Sequence, residues 1–300
     1  MWLVLAFTSA LLLGFYDVAK KQAVKDNAVP TVLLLNTLFS SLLFLPVIIS
    51  SELDLGWFGG SIFDVDPQPL RSHLLIILKS AIVLSSWIFG YFGIKHLPLT
   101  LVGPINATRP VLVLVGAMLI FGERLNAMQW IGVSLALVSI FLLSRAGKKE
   151  GIDFARNRWI LCVAAAAVLG AASGLYDRHI MRELEPLFVQ SWYNLYQVVM
   201  MAITVAVIAL CSGRETLKWR WSWAIPMISL LLSAADLAYF VALSESDAMI
   251  SVVSMIRRGS VVVSFACGAV LLREKNLKAK ALDLVFILVG MVLLWLGSRA

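Results

Sequence analysis

Charged side chains are scarce in this sequence of 300 residues. Asp, Glu, Lys and Arg together make up 14% of it, whereas hydrophobic residues make up 60%. A soluble globular domain usually contains about 25% charged residues and about 45–50% apolar ones. The shortage of charge therefore excludes a soluble fold and predicts an integral membrane protein. In such a protein, the net charge of +7 indicates basic loops at one membrane surface rather than a nucleic-acid partner.

The sequence also lacks the motifs from which most enzyme active sites are built. Its three cysteines all lie in apolar runs, and its three histidines are scattered, so neither a disulfide framework nor a metal site is predicted. It contains no Gly-x-Ser-x-Gly elbow, His-Glu-x-x-His pair or Walker loop. We therefore predict a protein that is not an enzyme, has no catalytic residues, uses no cofactor or metal, and does not itself hydrolyse ATP.

Ten apolar segments approach or exceed the length that spans a bilayer, which is roughly 17–25 residues. The bilayer offers no water to backbone groups, so each segment is predicted to be a helix. The predicted fold class is therefore all-α: an integral membrane protein with ten transmembrane helices. The segments are residues 2–19, 30–50, 74–94, 99–121, 128–144, 159–177, 187–211, 222–243, 248–272 and 280–297.

The loops between these segments differ in their content of basic residues. Sixteen lysines and arginines lie in the loops that follow odd-numbered segments, and five lie in the other loops and the termini. Cytoplasmic loops carry the excess of Lys and Arg. Both termini are therefore predicted to lie outside the cytoplasm.

Short motifs recur in the same order in the two halves of the chain. Two of the three matches are 148 residues apart, and the earliest is 160 residues apart. Each half contains five segments, an odd number, so the second half enters the membrane upside down, as in many secondary transporters. We predict two inverted five-helix repeats, residues 1–145 and 159–300, joined by a cytoplasmic linker at 146–158. The matches are Gly14–Asp17 with Gly174–Asp177, Gly90–Phe92 with Ala238–Phe240, and Arg109 with Arg257.

Arginines lie in the middle of the fourth and ninth segments. An arginine at the bilayer centre costs about 2.5–3.5 kcal/mol on insertion scales, so a use for these charges is expected. A guanidinium binds carboxylate or phosphate through two parallel hydrogen bonds. We predict that Arg109, Arg257 and Arg258 bind an anionic substrate at the membrane midplane, where interrupted helices of two repeats meet. Pro104 and Pro110 predict such an interruption beside Arg109.

The alternative for these arginines is a structural one, in which they pair with acids of the bundle. Asp236 is the clearest mid-segment acid. It either neutralises Arg257 or Arg258 permanently or exchanges a proton during transport. Arg258 points about 100° away from Arg257 on a helix, and is the arginine best suited to a structural role.

Four further side chains are candidates for the same site or for its surroundings. Tyr91 and Tyr239 occupy matching positions, and each offers a ring and a hydroxyl to a cavity. Lys79 either lines that cavity or extends to the membrane interface. Tyr16 and its match Tyr176 are predicted to belong to an interfacial aromatic belt.

These features resemble the drug/metabolite transporter superfamily, in its ten-helix EamA type. Each half carries a Glu-containing turn before its last helix, at Phe121–Leu125 and Leu272–Lys275. Pro110 matches the proline typical of the fourth helix, whereas Arg257–Gly259 replaces its counterpart in the ninth. In this departure the chain is similar to the sugar-phosphate and nucleotide-sugar branch, which holds phosphate with basic residues on helices 4 and 9.

The resemblance implies that the three arginines contact phosphate, that Tyr239 is an additional donor, and that the protein lies in the cell (inner) membrane. The favoured hypothesis is a secondary transporter that moves a small phosphate- or carboxylate-bearing metabolite by alternating access. Two alternatives stay open: a proton-coupled exporter of neutral or zwitterionic metabolites or drugs, and a non-transporting membrane scaffold or sensor. The predicted partners are the substrate and the lipid bilayer, without nucleic acid, for a monomer or homodimer.

Overall fold

The computed structural model describes residues 2–61, 63–109, 111–112, 126–148, 151–154, 156–180, 183–212, 217–244, 256–272, 274 and 277–297. Within these ranges the chain is helical, without strands, which confirms the predicted all-α class. Ten helices are named here in chain order: α1 Trp2–Lys25, α2 Val29–Glu52, α3 Leu70–His96, α4 Leu99–Ala107, α5 Ala127–Lys148, α6 Arg158–Ile180, α7 Pro186–Ser212, α8 Ala224–Ser244, α9 Ser260–Val270 and α10 Leu277–Gly297.

Six of these helices are long and apolar enough to cross a membrane. Several helices begin at or just after a proline, which lacks an N–H and fits the first turn; α3 follows Pro69, α4 follows Pro98 and α7 begins at Pro186. The predicted segments are too short at their charged ends. The first of them stops at residue 19, but α1 continues to Lys25, because the charged residues of its last turns find partners inside the protein.

The packing of the helices repeats between the two halves. Helix α1 packs on α8 as α6 packs on α3, and α1 packs on α9 as α6 packs on α4. The contacts of α2 with α8 and of α7 with α3 form a third matched pair. When each helix is replaced by its counterpart in the other half, five places away in chain order, each of these contacts becomes its matched partner. Two repeats related by a two-fold axis produce this pattern, so the predicted pair of repeats is confirmed.

The start of α4 is capped by the turn between α9 and α10. The Glu274 carboxylate accepts hydrogen bonds from the backbone N–H groups of Leu99, at 2.6 Å, and Thr100, at 2.8 Å. The fully buried Lys280 donates to the Thr100 hydroxyl at 2.9 Å. A negative side chain at a helix N-terminus satisfies free N–H groups and interacts favourably with the helix dipole. The Glu-containing turn of the second half thus caps the N-terminus of α4, a helix of the first half.

Candidate functional site

A cavity of about 680 Å³ lies between the helices that pair the two halves. All seven residues predicted for the site line this cavity. On α3, Lys79 and Tyr91 are twelve residues apart, which spans about 18 Å at 1.5 Å per residue. The other five are Arg109, Asp236, Tyr239, Arg257 and Arg258. The structure therefore brings together side chains that are up to 179 positions apart in the sequence.

The arginines lie where two helices are interrupted. Helix α4 ends at Ala107, and the Thr108 hydroxyl donates to the carbonyl of Ile105 at 2.7 Å. Arg109 follows this turn directly. In the second half, the Gly259 N–H donates to the carbonyl of Ile256 at 2.8 Å, and α9 begins at the next residue. Arg257 and Arg258 immediately precede that break, so both halves place guanidinium groups beside a helix interruption.

Positive charge exceeds negative charge on the cavity wall. Among the residues that the structure describes, five cationic side chains face three carboxylates there, which leaves an excess of two positive charges. Each carboxylate already has a cationic partner. Lys20 binds Asp17 at 2.7 Å, Lys79 binds Asp177, and Arg257 binds Asp236.

Arg109 and Arg258 carry the excess charge. Neither has a carboxylate partner among the residues that the structure describes. Arg109 donates through Nη2 to the Asn106 Oδ1 at 3.1 Å, and its buried Nε has no hydrogen-bond partner in the described part of the chain. The positive charges of Arg109 and Arg257 repel that of Arg258. A guanidinium in this situation is available for an anion.

The assignment of roles to the two adjacent arginines from helix geometry is wrong. Arg258 is the arginine expected to be structural, yet Arg257 is the one that forms the ion pair with Asp236. The Arg257 guanidinium also lies 4.3 Å from the centre of the Tyr239 ring, a cation–π contact. The 100° rule for neighbouring residues applies within a continuous helix, whereas the turn at Gly259 redirects the chain directly after this pair.

Tyr91 and Tyr16 lie deeper than an interfacial belt allows. Tyr91 is 1% exposed. Tyr16, predicted to lie in the belt, is 6% exposed and lines the cavity beside it; that prediction is wrong because α1, to which Tyr16 belongs, continues past the site to Lys25. Its repeat match Tyr176 donates to the carbonyl of Leu75 at 3.3 Å.

Lys79 lies inside the protein and does not extend to the membrane interface. It is buried, pairs with Asp177 of α6, and lies 5.5 Å from the centre of the Tyr193 ring. Sequence reasoning did not foresee the Lys79–Asp177 and Lys20–Asp17 pairs as parts of the site. The signal was present, because Asp17 and Asp177 are the last residues of the matched motifs of the two halves.

The part of the chain that the structure describes contains no evident set of metal ligands. No group of three or more His, Cys, Asp or Glu side chains is placed there to hold a metal ion. The site consists of cations, paired carboxylates and aromatic rings, which suits the binding of a charged organic molecule through hydrogen bonds.

Comparison with known proteins gives three findings. The EamA-like transporter family model matches residues 1–145 and 157–296. An uncharacterized transporter from Archaeoglobus fulgidus is 24% identical over 148 residues, so the match spans 49% of this chain and 49% of that relative. A solved crystal structure, described simply as that of a protein, has a TM-score of 0.65 and 17% identity over 99% of this chain and 96% of its own. This last likeness concerns the fold alone.

Proposed function

Because this chain belongs to the EamA-like transporter family, we propose that it carries a small organic anion across the membrane through the central cavity. It is a multi-pass membrane transporter and not an enzyme. The proposal concerns the substrate and the mechanism. The substrate bears a phosphate or carboxylate groups, and one helix bundle rocks against the other around a fixed site so that the site opens to each side in turn.

One observation carries this proposal: among the described residues of the cavity, two arginines lack a carboxylate partner, while each carboxylate is paired. Uncompensated charge in a low-dielectric site is costly, and a bound anion removes that cost. A phosphate monoester carries about −1.5 to −2 charges at pH 7, which matches the excess of two. A dicarboxylate has the same charge.

The size of the cavity suits a metabolite. Small-molecule sites typically enclose about 300–1,000 Å³, and this one encloses about 680 Å³. Arg109 and Arg258 bind the anionic group. Tyr91 and Tyr239 present rings and hydroxyls to the rest of the molecule.

The same charges favour exchange over one-way movement. An empty cavity with two excess positive charges resists the conformational change that would expose it to the opposite side, whereas a loaded cavity is neutral. In this mechanism residues 1–145 and 159–300 are the two repeats, joined by the cytoplasmic linker at 146–158, and each moving bundle contains helices of both repeats. Both termini lie on the non-cytoplasmic side of the inner membrane. One chain contains a complete site.

A binding screen on detergent-purified protein tests the proposal. Glucose 6-phosphate, gluconate and glucose share a carbon skeleton and differ in charge. A ligand that binds only the folded state stabilises it by RT ln(1 + [L]/Kd), about 2.7 kcal/mol at a hundredfold excess over Kd. We expect one anionic compound, and not glucose, to raise the unfolding temperature of the wild type.

Arg258→Gln is the decisive variant in this screen, because it removes an unpaired charge without breaking an ion pair. We expect it to keep its unfolding temperature and to lose the response to the anion. Equal responses to glucose and to both anions, or an unchanged response in the variant, would overturn the proposal and support the scaffold alternative.

A proton-coupled exporter is the second candidate, because Asp236 is an intramembrane acid that forms an ion pair with Arg257. In that case Asp236→Asn abolishes transport driven by a pH gradient in proteoliposomes while solute exchange at equal pH persists. In the anion mechanism, Asp236→Asn changes pH-driven transport and exchange at equal pH to the same extent.

A further inference from the structure

Gly170 of α6 lies directly against the guanidinium of Arg109. A Cβ atom placed at position 170 would lie 2.7 Å from the Arg109 Cζ, and 2.9 Å from both its Nε and its Nη1. Ordinary contacts of a Cβ atom begin at 3.4 Å. The absence of a side chain is thus what allows the planar group to lie on the helix backbone at this point.

A methyl group at this position displaces the guanidinium and leaves the helix in place. The atoms that a Cβ would meet belong to the far end of a long, flexible side chain, and none of the three nearest is backbone. Restoring an ordinary contact requires a shift of about 0.7 Å, from 2.7 to 3.4 Å. That shift is large compared with the range of about 2.7–3.2 Å within which N–H···O hydrogen bonds form.

We propose that Gly170 is a positioning residue of the anion site, which sets where Arg109 presents its charge to the substrate. The inference rests on the function proposed above, since it assigns Arg109 to that anion. Two features make the position of this guanidinium matter. Asn106 holds one edge of it, through Nη2 at 3.1 Å, and the buried Nε has no partner among the described residues, so that N–H is available to a ligand of fixed geometry.

The small residues around Gly170 have another explanation as a packing surface, since a small-xxx-small pattern lets helices approach closely. The two explanations differ in what Gly170→Ala disturbs. Loss of packing lowers stability whatever stands at position 109. Loss of positioning depends on the Arg109 guanidinium and disappears when that group is removed.

The first experiment needs no ligand. Gly170→Ala, Arg109→Ala and the double variant are purified in detergent, and their unfolding temperatures are measured. Alanine is a better helix former than glycine, so without the guanidinium Gly170→Ala is expected to raise the unfolding temperature. With Arg109 present we expect that gain to be smaller by ~2–4 °C, which is the mark of two coupled positions.

The second experiment uses inorganic phosphate, measured by isothermal titration, as the probe of the site. We expect Gly170→Ala to raise the Kd for phosphate about tenfold, as the loss of one hydrogen bond to a charged group does. Arg109→Lys weakens binding in the wild-type background, because an ammonium lacks the planar fork. It has little further effect once Gly170→Ala has displaced the fork.

Gly93→Ala is the matched control. Gly93 lies on α3 against α6 and is not among the described residues that line the cavity, and an added Cβ there would meet the Val163 side chain of α6 too closely. We expect Gly93→Ala to lower the unfolding temperature whatever stands at position 109, and to bind phosphate like the wild type.

The outcomes separate this inference from the function it rests on. Additive unfolding temperatures in the first experiment, or unchanged phosphate binding by Gly170→Ala, overturn the positioning role. Coupled unfolding temperatures together with no phosphate binding by the wild type support the placement of Arg109 by Gly170 and overturn the proposed substrate class for phosphate.

Discussion

Arg257 binds Asp236 of α8, whereas Arg258, the next residue in the chain, faces the same cavity without a carboxylate partner among the described residues. The charge of Arg257 is therefore compensated inside the protein, and the charge of Arg258 is the one that the proposed anion would neutralise. The two residues are predicted to respond differently to the same substitution.

Arg258→Gln is expected to weaken anion binding by about 10–100-fold, the range for a lost hydrogen bond to a charged group. Its stability is expected to stay close to that of the wild type, since no ion pair is broken. Arg257→Gln is the matched comparison and lowers the unfolding temperature, because it leaves Asp236 charged and alone. Equal losses of binding and stability in both variants would contradict this assignment.

Asp236→Asn is expected to destabilise the protein by about 1–3 kcal/mol. Breaking a buried ion pair costs about 3–5 kcal/mol, and the side chains here are 13% and 20% exposed, which reduces the effect. The double variant Asp236→Asn/Arg257→Gln is expected to recover much of the lost stability, because it leaves no lone charge. Thermal unfolding of both single variants and the double variant gives the coupling between the two positions.

The Lys79–Asp177 pair is expected to contribute more to stability than the Arg71–Glu183 pair, although both join the same two halves of the protein. Lys79 is buried beside the Tyr193 ring, whereas the Arg71 side chain is 78% exposed and lies 3.3 Å from Glu183. Exposed ion pairs contribute about 0–1 kcal/mol. We expect Lys79→Met to lower the unfolding temperature clearly and Arg71→Met to leave it unchanged.

Salt gives a second measurement of this contrast. Raising the ionic strength screens an exposed pair much more than a buried one. The decrease in unfolding temperature caused by Lys79→Met is therefore expected to persist in 1 M NaCl. A deficit that vanishes in salt would show that this pair behaves as a surface pair.

Glu274→Gln is expected to loosen the start of α4. The carboxylate accepts two backbone hydrogen bonds there, and loss of a helix cap typically costs about 0.5–2 kcal/mol. Glutamine keeps the shape but loses the charge that favours a helix N-terminus. Amide hydrogen exchange at Leu99 and Thr100 is expected to accelerate in the variant, while exchange in the middle of α2 stays the same.

The sequence predicts the helices and the two repeats because the bilayer permits few other structures. Arg109 and Arg257 could be found for the same reason, since a charge inside a long apolar run has no ordinary explanation. Lys20 and Asp17 could not be recognised in this way. A hydropathy profile predicts that a helix ends at its first cluster of charged residues. It does not show that Lys20 and Asp17 form an ion pair, which allows both charges to lie inside the protein.

The orientation of Arg257 and Arg258 was also beyond the sequence. Which of two neighbours reaches Asp236 depends on how the chain turns at Gly259, and that turn is set by the packing of α9 against α1 and α4. Gly170 shows the same limit. Its pattern of small neighbours is typical of helix packing, and only the distance to Arg109 reveals a second use.

The unpaired arginines have an electrical consequence for the transport cycle. Each elementary charge that crosses the full membrane potential changes the free energy by about 2.3 kcal/mol per 100 mV. In the proposed cycle, the two excess charges among the described residues of the cavity mean that the return of the unloaded transporter moves current and is retarded or driven by the potential. A transporter neutralised by a doubly charged anion moves none, so the membrane potential acts on the empty step of the cycle and leaves the loaded step almost untouched.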